Sequence, residues 1–144
     1  MAAMERLEDI PRRWAAERPE ALVLKDASGE RTWAELESGR VALAAALAAY
    51  GVRPGDRVMV LGENCAAMVA LLFALASLDA WIVNVNARLS AREVDAIRAH
   101  SHARCVLYLV DASPDAATHA ARHGAGAIDS HGWGTVLALS LIHI

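Results

Sequence analysis

The spacing of apolar residues divides the chain into alternating helices and strands. Leu7, Ile10 and Trp14 recur at a helical period and predict a first helix over residues 4–17. Short apolar runs bounded by turn residues predict five strands, at residues 21–25, 30–33, 57–61, 81–85 and 104–110. The first two would form a hairpin, and the other three would be buried neighbours in one sheet. This alternation predicts an α/β fold, in which a mostly parallel sheet carries helices on its faces.

Each later helix begins at a residue type that commonly caps helices, and these residues are Thr32, Asn64, Ser90 and Ser113. Thr32 and Ser90 are each followed three residues later by glutamate, which is the pattern of a capping box. Gly51 lies where the helix after Thr32 is expected to stop. The helix from Asn64 runs to Leu78 and is apolar on all sides, which predicts that it is buried.

Composition excludes several classes of protein. The chain has 144 residues, enough for one domain with a sizeable core, and 56% of them are hydrophobic. Its net charge of −3 gives no electrostatic case for binding nucleic acid. The longest uncharged apolar run, residues 65–78, is short for a transmembrane segment, so we expect none. Cys65 and Cys105 form no metal or redox motif, and this favours a reducing, cytoplasmic location.

Histidines on the last helix are the first candidate for a metal site. His119 and His123 are four residues apart, a spacing that can place two imidazoles on one metal ion, and His100 and His102 are near in sequence. No third ligand is evident, and no glutamate lies between the pair. We therefore interpret His119 and His123 as part of a solvated helix face.

Two further candidates lie around the start of the helix at Asn64. Cys65 is in a first helical turn, where the dipole can lower a thiol pKa, but its small apolar neighbours favour a buried, inert cysteine. Residues 61–64 form a strand-to-helix turn, a common place for phosphate, yet they contain one glycine and the acidic Glu63. We assign no catalytic, cofactor-binding or metal-binding residue within this chain.

Four segments carry a resemblance to a known family. In chain order they are Glu30-Arg31-Thr32-Trp33-Ala34-Glu35-Leu36, Tyr50-Gly51-Val52-Arg53-Pro54-Gly55-Asp56-Arg57-Val58, Glu63-Asn64, and Asn86-Ala87-Arg88-Leu89-Ser90 with Glu93. Together they resemble the N-terminal region of the AMP-forming adenylating enzymes, the superfamily of acyl-CoA synthetases, luciferases and peptide-synthetase adenylation domains. Each segment also has a purely structural interpretation as a turn or a helix cap.

The resemblance implies that residues 1–138 are an incomplete N-terminal portion of an AMP-binding domain. The parent enzyme would react a carboxylic acid, fatty or aromatic, with ATP to form an acyl-adenylate. It would then transfer the acyl group to a thiol, which we take to be that of CoA. The contacts to ATP, Mg²⁺ and CoA would lie beyond this chain, which alone is expected to be inactive. Enzymes of this superfamily use a lysine in catalysis. Lys25 is the only lysine of this chain, and the sequence around it does not match the family's catalytic lysine. The alternative is a free-standing α/β nucleotide-binding or interaction module without catalysis.

The last six residues, Leu139 to Ile144, do not continue the family pattern. They can be read as the translation of CTGTCTCTTATACACATC, a sequence used as a transposase-type library adaptor. We therefore expect residues 139–144 to be a non-native tail, to be excluded from reasoning about the fold. The alternative is a natural apolar strand.

Overall fold

The computed structural model describes residues 3–141. Its helices are α1 (Asp9–Glu17), α2 (Trp33–Tyr50), α3 (Ala66–Ser77), α4 (Ala91–Ser101) and α5 (Pro114–His123). Its strands are β1 (Leu22–Asp26), β2 (Gly29–Thr32), β3 (Arg57–Gly62), β4 (Trp81–Asn86), β5 (Cys105–Leu109), β6 (Gly126–Ile128) and β7 (Val136–Ser140). The first helix begins later than predicted, because the Asp9 carboxylate accepts the backbone N–H groups of Glu5 and Arg6 in a turn before it.

The main sheet has five strands in the order β4-β3-β5-β7-β6. β3 runs parallel to β4 and to β5, as predicted for these three strands. β7 runs antiparallel to both β5 and β6, so the sheet is mixed and the prediction of a mostly parallel sheet needs this correction. β7 is antiparallel because the loop of residues 129–135 reverses the chain after β6 and brings β7 back beside β5. β1 and β2 form a separate antiparallel hairpin, as predicted.

Helices cover both faces of the sheet because buried side chains alternate along its central strand. Val58 and Val60 of β3 belong to one apolar cluster, with residues of α2 and α3. Met59 and Leu61 belong to a second cluster on the opposite face, with residues of α4 and α5. Burial on both faces is typical of parallel strands in α/β proteins.

α3 is buried as the sequence predicts. None of its residues is exposed, and Ala70, Leu71, Ala74 and Leu75 are fully buried. Its start differs from the prediction by one position, because Cys65 and not Asn64 is the N-cap residue, and Cys65 makes no side-chain cap. The capping boxes at Thr32 and Ser90 are both present.

β4 is not the buried strand that the sequence predicts. Among the described residues it pairs with β3 alone, and it therefore lies at an edge of the sheet. Trp81 is 69% exposed, and Val85 is the one residue of β4 that is fully buried. The apolar run Trp81-Ile82-Val83 does not distinguish an edge strand from a central one, because position in a sheet depends on the other strands.

The first part of the suspected tail continues the sheet. Leu139 and Ser140 end β7, opposite Val106 and Cys105 of β5. Leu139 and Leu141 are partly buried against the second apolar cluster. An apolar segment can form such a strand whether or not it is native, so the foreign origin of the tail stays a prediction. Residues 142–144 lie outside the described part of the chain.

Within residues 3–141, no helix combines the length and apolar character needed to cross a membrane.

Candidate functional site

The carboxyl ends of β3, β4 and β5 meet at one edge of the sheet, where two adjoining cavities open. From β3 the chain passes to β4 on one side and then to β5 on the other. In open α/β sheets, ligands bind outside the carboxyl ends of the strands, at the point where the strand order reverses in this way. This edge is therefore the candidate functional site.

The first cavity has a volume of about 560 Å³ and lies at the ends of β3 and β4. Its polar lining includes Glu63, Asn64, Asn84, Asn86 and Arg88. The Arg88 guanidinium donates to the Glu63 carboxylate at 2.8 Å, and the Arg88 backbone N–H donates to Asn86 Oδ1 at 2.9 Å. The positive charge in this cavity is thus already paired with a carboxylate.

The second cavity has a volume of about 520 Å³ and lies between the hairpin and the start of α3. Asp26, from the hairpin turn, accepts the backbone N–H of Ala66 at 2.7 Å and the hydroxyl of Ser28 at 2.5 Å. The hydrogen bond from Ser28, together with those from backbone N–H groups, lowers the pKa of Asp26. A carboxylate of the protein itself therefore occupies the anion-binding end of α3.

Arg31 and Asp111 hold the loop of residues 129–135 against the second cavity. The Arg31 guanidinium donates to the carbonyl of Gly132 at 2.7 Å and lies 4.2 Å from the centre of the Trp133 ring. Asp111 Oδ2 accepts the backbone N–H of Thr135 at 2.8 Å. A Cβ at Gly134, where φ is +87°, would lie 2.7 Å from that same oxygen, so this position requires glycine.

Cys65 lines the second cavity and is half-buried. Burial raises the pKa of its thiol, and the carboxylates of Asp26 and Asp111 raise it further. The reactive thiolate is therefore disfavoured at neutral pH. This environment supports the interpretation of Cys65 as an inert cysteine.

The interpretation of His119 and His123 as a solvated helix face is wrong. His119 is 6% exposed, and the side chain of His123 is also 6% exposed. α5 turns this face inward, because Ala116 and Ala120 of the same helix pack into the second apolar cluster. His100 and His102 are exposed and do not join them. Among residues 3–141, no three His, Cys, Asp or Glu side chains are placed to hold a metal ion.

Three carboxylates, those of Asp26, Glu63 and Asp111, and two guanidinium groups, those of Arg31 and Arg88, line this edge of the sheet. Asp26 already accepts from the start of α3, and Glu63 and Asp111 add negative charge around the two cavities. Lys25 lies elsewhere on the hairpin, where its Nζ is 3.7 Å from Oε1 of Glu30, and its side chain is 80% exposed. The arrangement offers shaped, polar surfaces in which Glu63 and Asp26 already have partners within the chain.

Sequence reasoning missed three residues of this edge, namely Asp26, Arg31 and Asp111. Asp26 ends β1, and its contact with Ala66 spans 40 positions along the chain. Local pattern contains no signal for such a contact. A weak signal for the loop of residues 129–135 existed in Gly132-Trp133-Gly134, where an aromatic residue lies between two glycines.

Comparison with known proteins agrees with this fold. The family model for AMP-binding enzymes matches residues 11–139. The chain belongs to the AMP-binding enzyme family.

Relatives of this chain within the family include CoA ligases and a larger synthase. Feruloyl-CoA synthase from Amycolatopsis sp. is 36% identical over 124 residues, which cover 83% of this chain and 25% of that protein. Phenyloxazoline synthase MbtB from Mycobacterium sp. (strain MCS) is 34% identical over 102 residues, which cover 71% of this chain and 9% of that protein. The chain thus spans a quarter or less of the length of these relatives.

Solved structures give the same result. The inhibitor-bound N-terminal domain of FACL13 from Mycobacterium tuberculosis matches with a TM-score of 0.72 and 28% identity. The match covers 80% of this chain and 29% of that one. The α/β architecture is therefore that of the N-terminal subdomain of adenylating enzymes.

Proposed function

We propose that this chain is the N-terminal part of an ATP-dependent acid–thiol ligase. Such an enzyme would form an acyl-adenylate from a carboxylic acid and ATP, and would then transfer the acyl group to the thiol of CoA. The observation that carries this proposal is the match to feruloyl-CoA synthase, which extends over 83% of the chain.

Residues 1–138 would serve as a scaffold within that ligase, with no catalytic role of their own. Binding of ATP, Mg²⁺ and CoA is assigned to the remainder of the parent enzyme. The charges at the sheet edge support this assignment, because Asp26 occupies the start of α3 and Glu63 pairs with Arg88. Stabilising the transferring phosphates would require preorganised positive charge, whereas Arg88 is paired with Glu63 and Arg31 donates to the carbonyl of Gly132.

The substrate would be a fatty acid or an aromatic acid. Feruloyl-CoA synthase supports an aromatic acid, and the long-chain-fatty-acid–CoA ligase FadD13 of Mycobacterium tuberculosis, 34% identical over 83 residues, supports a fatty acid. We place the enzyme in the cytoplasm, since both cysteines are free thiols and such thiols are usual in reducing compartments. Its net charge of −3 gives no reason to expect nucleic acid as a partner.

The proposal is tested by measuring pyrophosphate release from ATP. The purified 144-residue chain should give only background with fatty and aromatic acids, whereas the complete open reading frame from the source organism should release pyrophosphate and form acyl-CoA. A complete ligase of the family serves as the positive control. The scaffold assignment is contradicted if the short chain alone is active and loses that activity on Arg88→Ala or Asp111→Asn.

A complete reading frame that releases no pyrophosphate with either class of acid would contradict the proposed ligase activity itself. Titration of the short chain with ATP in a calorimeter examines the alternative of a nucleotide-binding module. We expect no heat of binding beyond dilution, because the start of α3 is occupied by Asp26.

A further inference from the structure

A buried histidine of α5 contacts the loop of residues 87–90, which joins β4 to α4. His119 is 6% exposed, and its Nε2 lies 3.1 Å from the carbonyl oxygen of Ala87 and 3.2 Å from that of Leu89. Its Nδ1 lies 3.0 Å from a guanidinium nitrogen of Arg122, which is one helical turn further along α5. The imidazole therefore lies between Arg122 and the loop.

The two kinds of partner determine which imidazole nitrogen of His119 carries the proton. A carbonyl oxygen can only accept a hydrogen bond, so Nε2 donates. A guanidinium can only donate, so Nδ1 accepts. The contact made by one ring nitrogen thus sets the role of the other. Without Arg122, the ring could carry its proton on Nδ1, and it would then turn a lone pair toward the two carbonyl oxygens.

Asp95 of α4 holds Arg122 in the position that this contact requires. Its two carboxylate oxygens accept from two guanidinium nitrogens of Arg122, at 2.8 and 3.1 Å, in a bidentate arrangement that fixes the orientation of the guanidinium. The hydrogen bond from Arg122 lowers the pKa of Asp95 to about 2, and a hydrogen bond from His123 acts in the same direction. Nη2 of Arg122 has two hydrogens, one directed to Asp95 and one to His119.

Arg88 lies between the two residues whose carbonyls accept from His119. Its guanidinium donates to Glu63 across the first cavity at 2.8 Å. Ala87, on one side of it, is buried, and its backbone N–H donates to the carbonyl of Gly62 at 3.2 Å. Movement of the loop away from α5 would break both carbonyl contacts and would shift the backbone from which the Arg88 side chain extends.

We propose that Asp95, Arg122 and His119, which we call the relay, position Arg88 at the first cavity. Asp95 holds Arg122, and Arg122 keeps the proton of His119 on Nε2. That N–H then holds the carbonyls on both sides of Arg88. None of the three is among the described residues that line the first cavity, so all three are positioning residues. The relay lies within this chain and can be measured without any ligase activity.

The tautomer of His119 in the wild-type chain is the first test, and it requires no variant that might misfold. The ¹⁵N chemical shifts of the imidazole nitrogens show which of them carries the proton. At about pH 8, where imidazoles are neutral, we expect the proton of His119 on Nε2 alone. A ring protonated on Nδ1, or an even mixture of the two tautomers, would overturn the proposal.

Arg122→Met removes the guanidinium and keeps a long side chain at that position. His119 should then lose its single tautomer, and hydrogen–deuterium exchange of the backbone amides of residues 87–89 should rise several-fold relative to the amides of α3. Arg92→Met, at an exposed position of α4, is the matched control and should leave both measurements unchanged. Loop exchange in Arg122→Met equal to that of the wild type would contradict the proposal.

A double-mutant cycle separates the relay from two independent losses of stability. His119→Leu should raise exchange of the same amides, because it removes the N–H that holds the two carbonyls. Adding Arg122→Met to that chain should cause little further increase, since Arg122 acts on the loop through His119. Effects of the two substitutions that combine as if they were independent would rule out the relay.

The contact between Arg88 and Glu63 has a measurement of its own. The Nε–H of Arg88 donates to Glu63, and its exchange with solvent is followed by NMR. This exchange should become faster in Arg122→Met and should remain as in the wild type in Arg92→Met. A loosened loop with unchanged exchange at the Arg88 Nε–H would show that the relay does not position Arg88.

Discussion

At the scale of single residues, the loop of residues 129–135 depends on a close approach between Gly39 and Trp133. Trp133 is 5% exposed and lies directly against α2 at Gly39, where a Cβ would overlap the Nε1 atom of the indole. Glycine in a helix interior costs stability relative to alanine, so its presence here has a packing reason. The residue makes room for the ring that Arg31 covers from the other side.

Gly39→Ala should destabilise the chain even though alanine is the better helix former. Alanine gains about 1 kcal/mol in helix propensity, and overpacking of a filled core costs about 1 to 3 kcal/mol. Because Trp133 is buried and Arg31 covers its ring, we expect overpacking to outweigh the gain and the net loss to be about 1 kcal/mol. Urea denaturation measures it. Gly126→Ala is the matched control, since no atom lies within 4 Å of a Cβ there.

A Gly39→Ala chain at least as stable as the wild type would contradict this account of the loop. It would show that Trp133 can move away from α2 at little cost.

At the scale of elements, the start of α3 is completed by the hairpin and not by its own sequence. Cys65 provides no side-chain cap, and the carboxylate of Asp26 accepts from the backbone N–H of Ala66 instead. The hairpin is therefore joined to α3 by a polar contact beside its turn. The same contact occupies the anion-binding end of α3 with a carboxylate of the chain itself.

Asp26→Ala should destabilise the chain by about 1 kcal/mol, the typical cost of losing a helix cap. Asp26→Asn keeps an oxygen that can accept from Ala66 and should lose less. The pKa of Asp26 is lowered from its ordinary value of 3.8 in the folded chain, so its contribution is present above that pH and is lost as the pH falls below it. Urea denaturation of the wild type, Asp26→Ala and Asp26→Asn at neutral and acidic pH measures these differences in the free energy of unfolding. Equal stability of Asp26→Ala and the wild type would show that Asp26 does not cap α3.

The same scale shows how far the sequence predicts the fold. Helices with local start signals were predicted well, because the capping boxes at Thr32 and Ser90 are formed by neighbouring residues. The edge position of β4 and the antiparallel β7 were not predicted, because strand order is decided by contacts between distant segments. β6 has only three residues, too few for a periodic pattern.

The candidate site shows the same division between local and distant contacts. The sequence predicted where the turn at Glu63 and Asn64 lies and where α4 begins. The role of Asp26, and the burial of His119 and His123, depend on which elements pack against each other. Local sequence therefore located the strand ends, but it did not show which side chains would meet there.

At the scale of the whole molecule, two apolar clusters enclose a sheet whose β4 edge is unpaired among the described residues. The chain matches an AMP-binding enzyme family over residues 11–139 and spans a quarter or less of the relatives described above. We therefore propose that the chain has a structural role within a larger ligase, and that residues 139–144 are foreign to that ligase.

Sequencing the source locus past the codon for Ala138 tests this central claim most directly. We predict an uninterrupted longer frame in which Leu139 to Ile144 are replaced by other residues, followed by a loop rich in serine, threonine and glycine that includes a lysine. Such a frame would supply the phosphate-binding loop that the proposed ligase requires. A genuine stop codon directly after Ile144 would contradict the account and favour a free-standing α/β module.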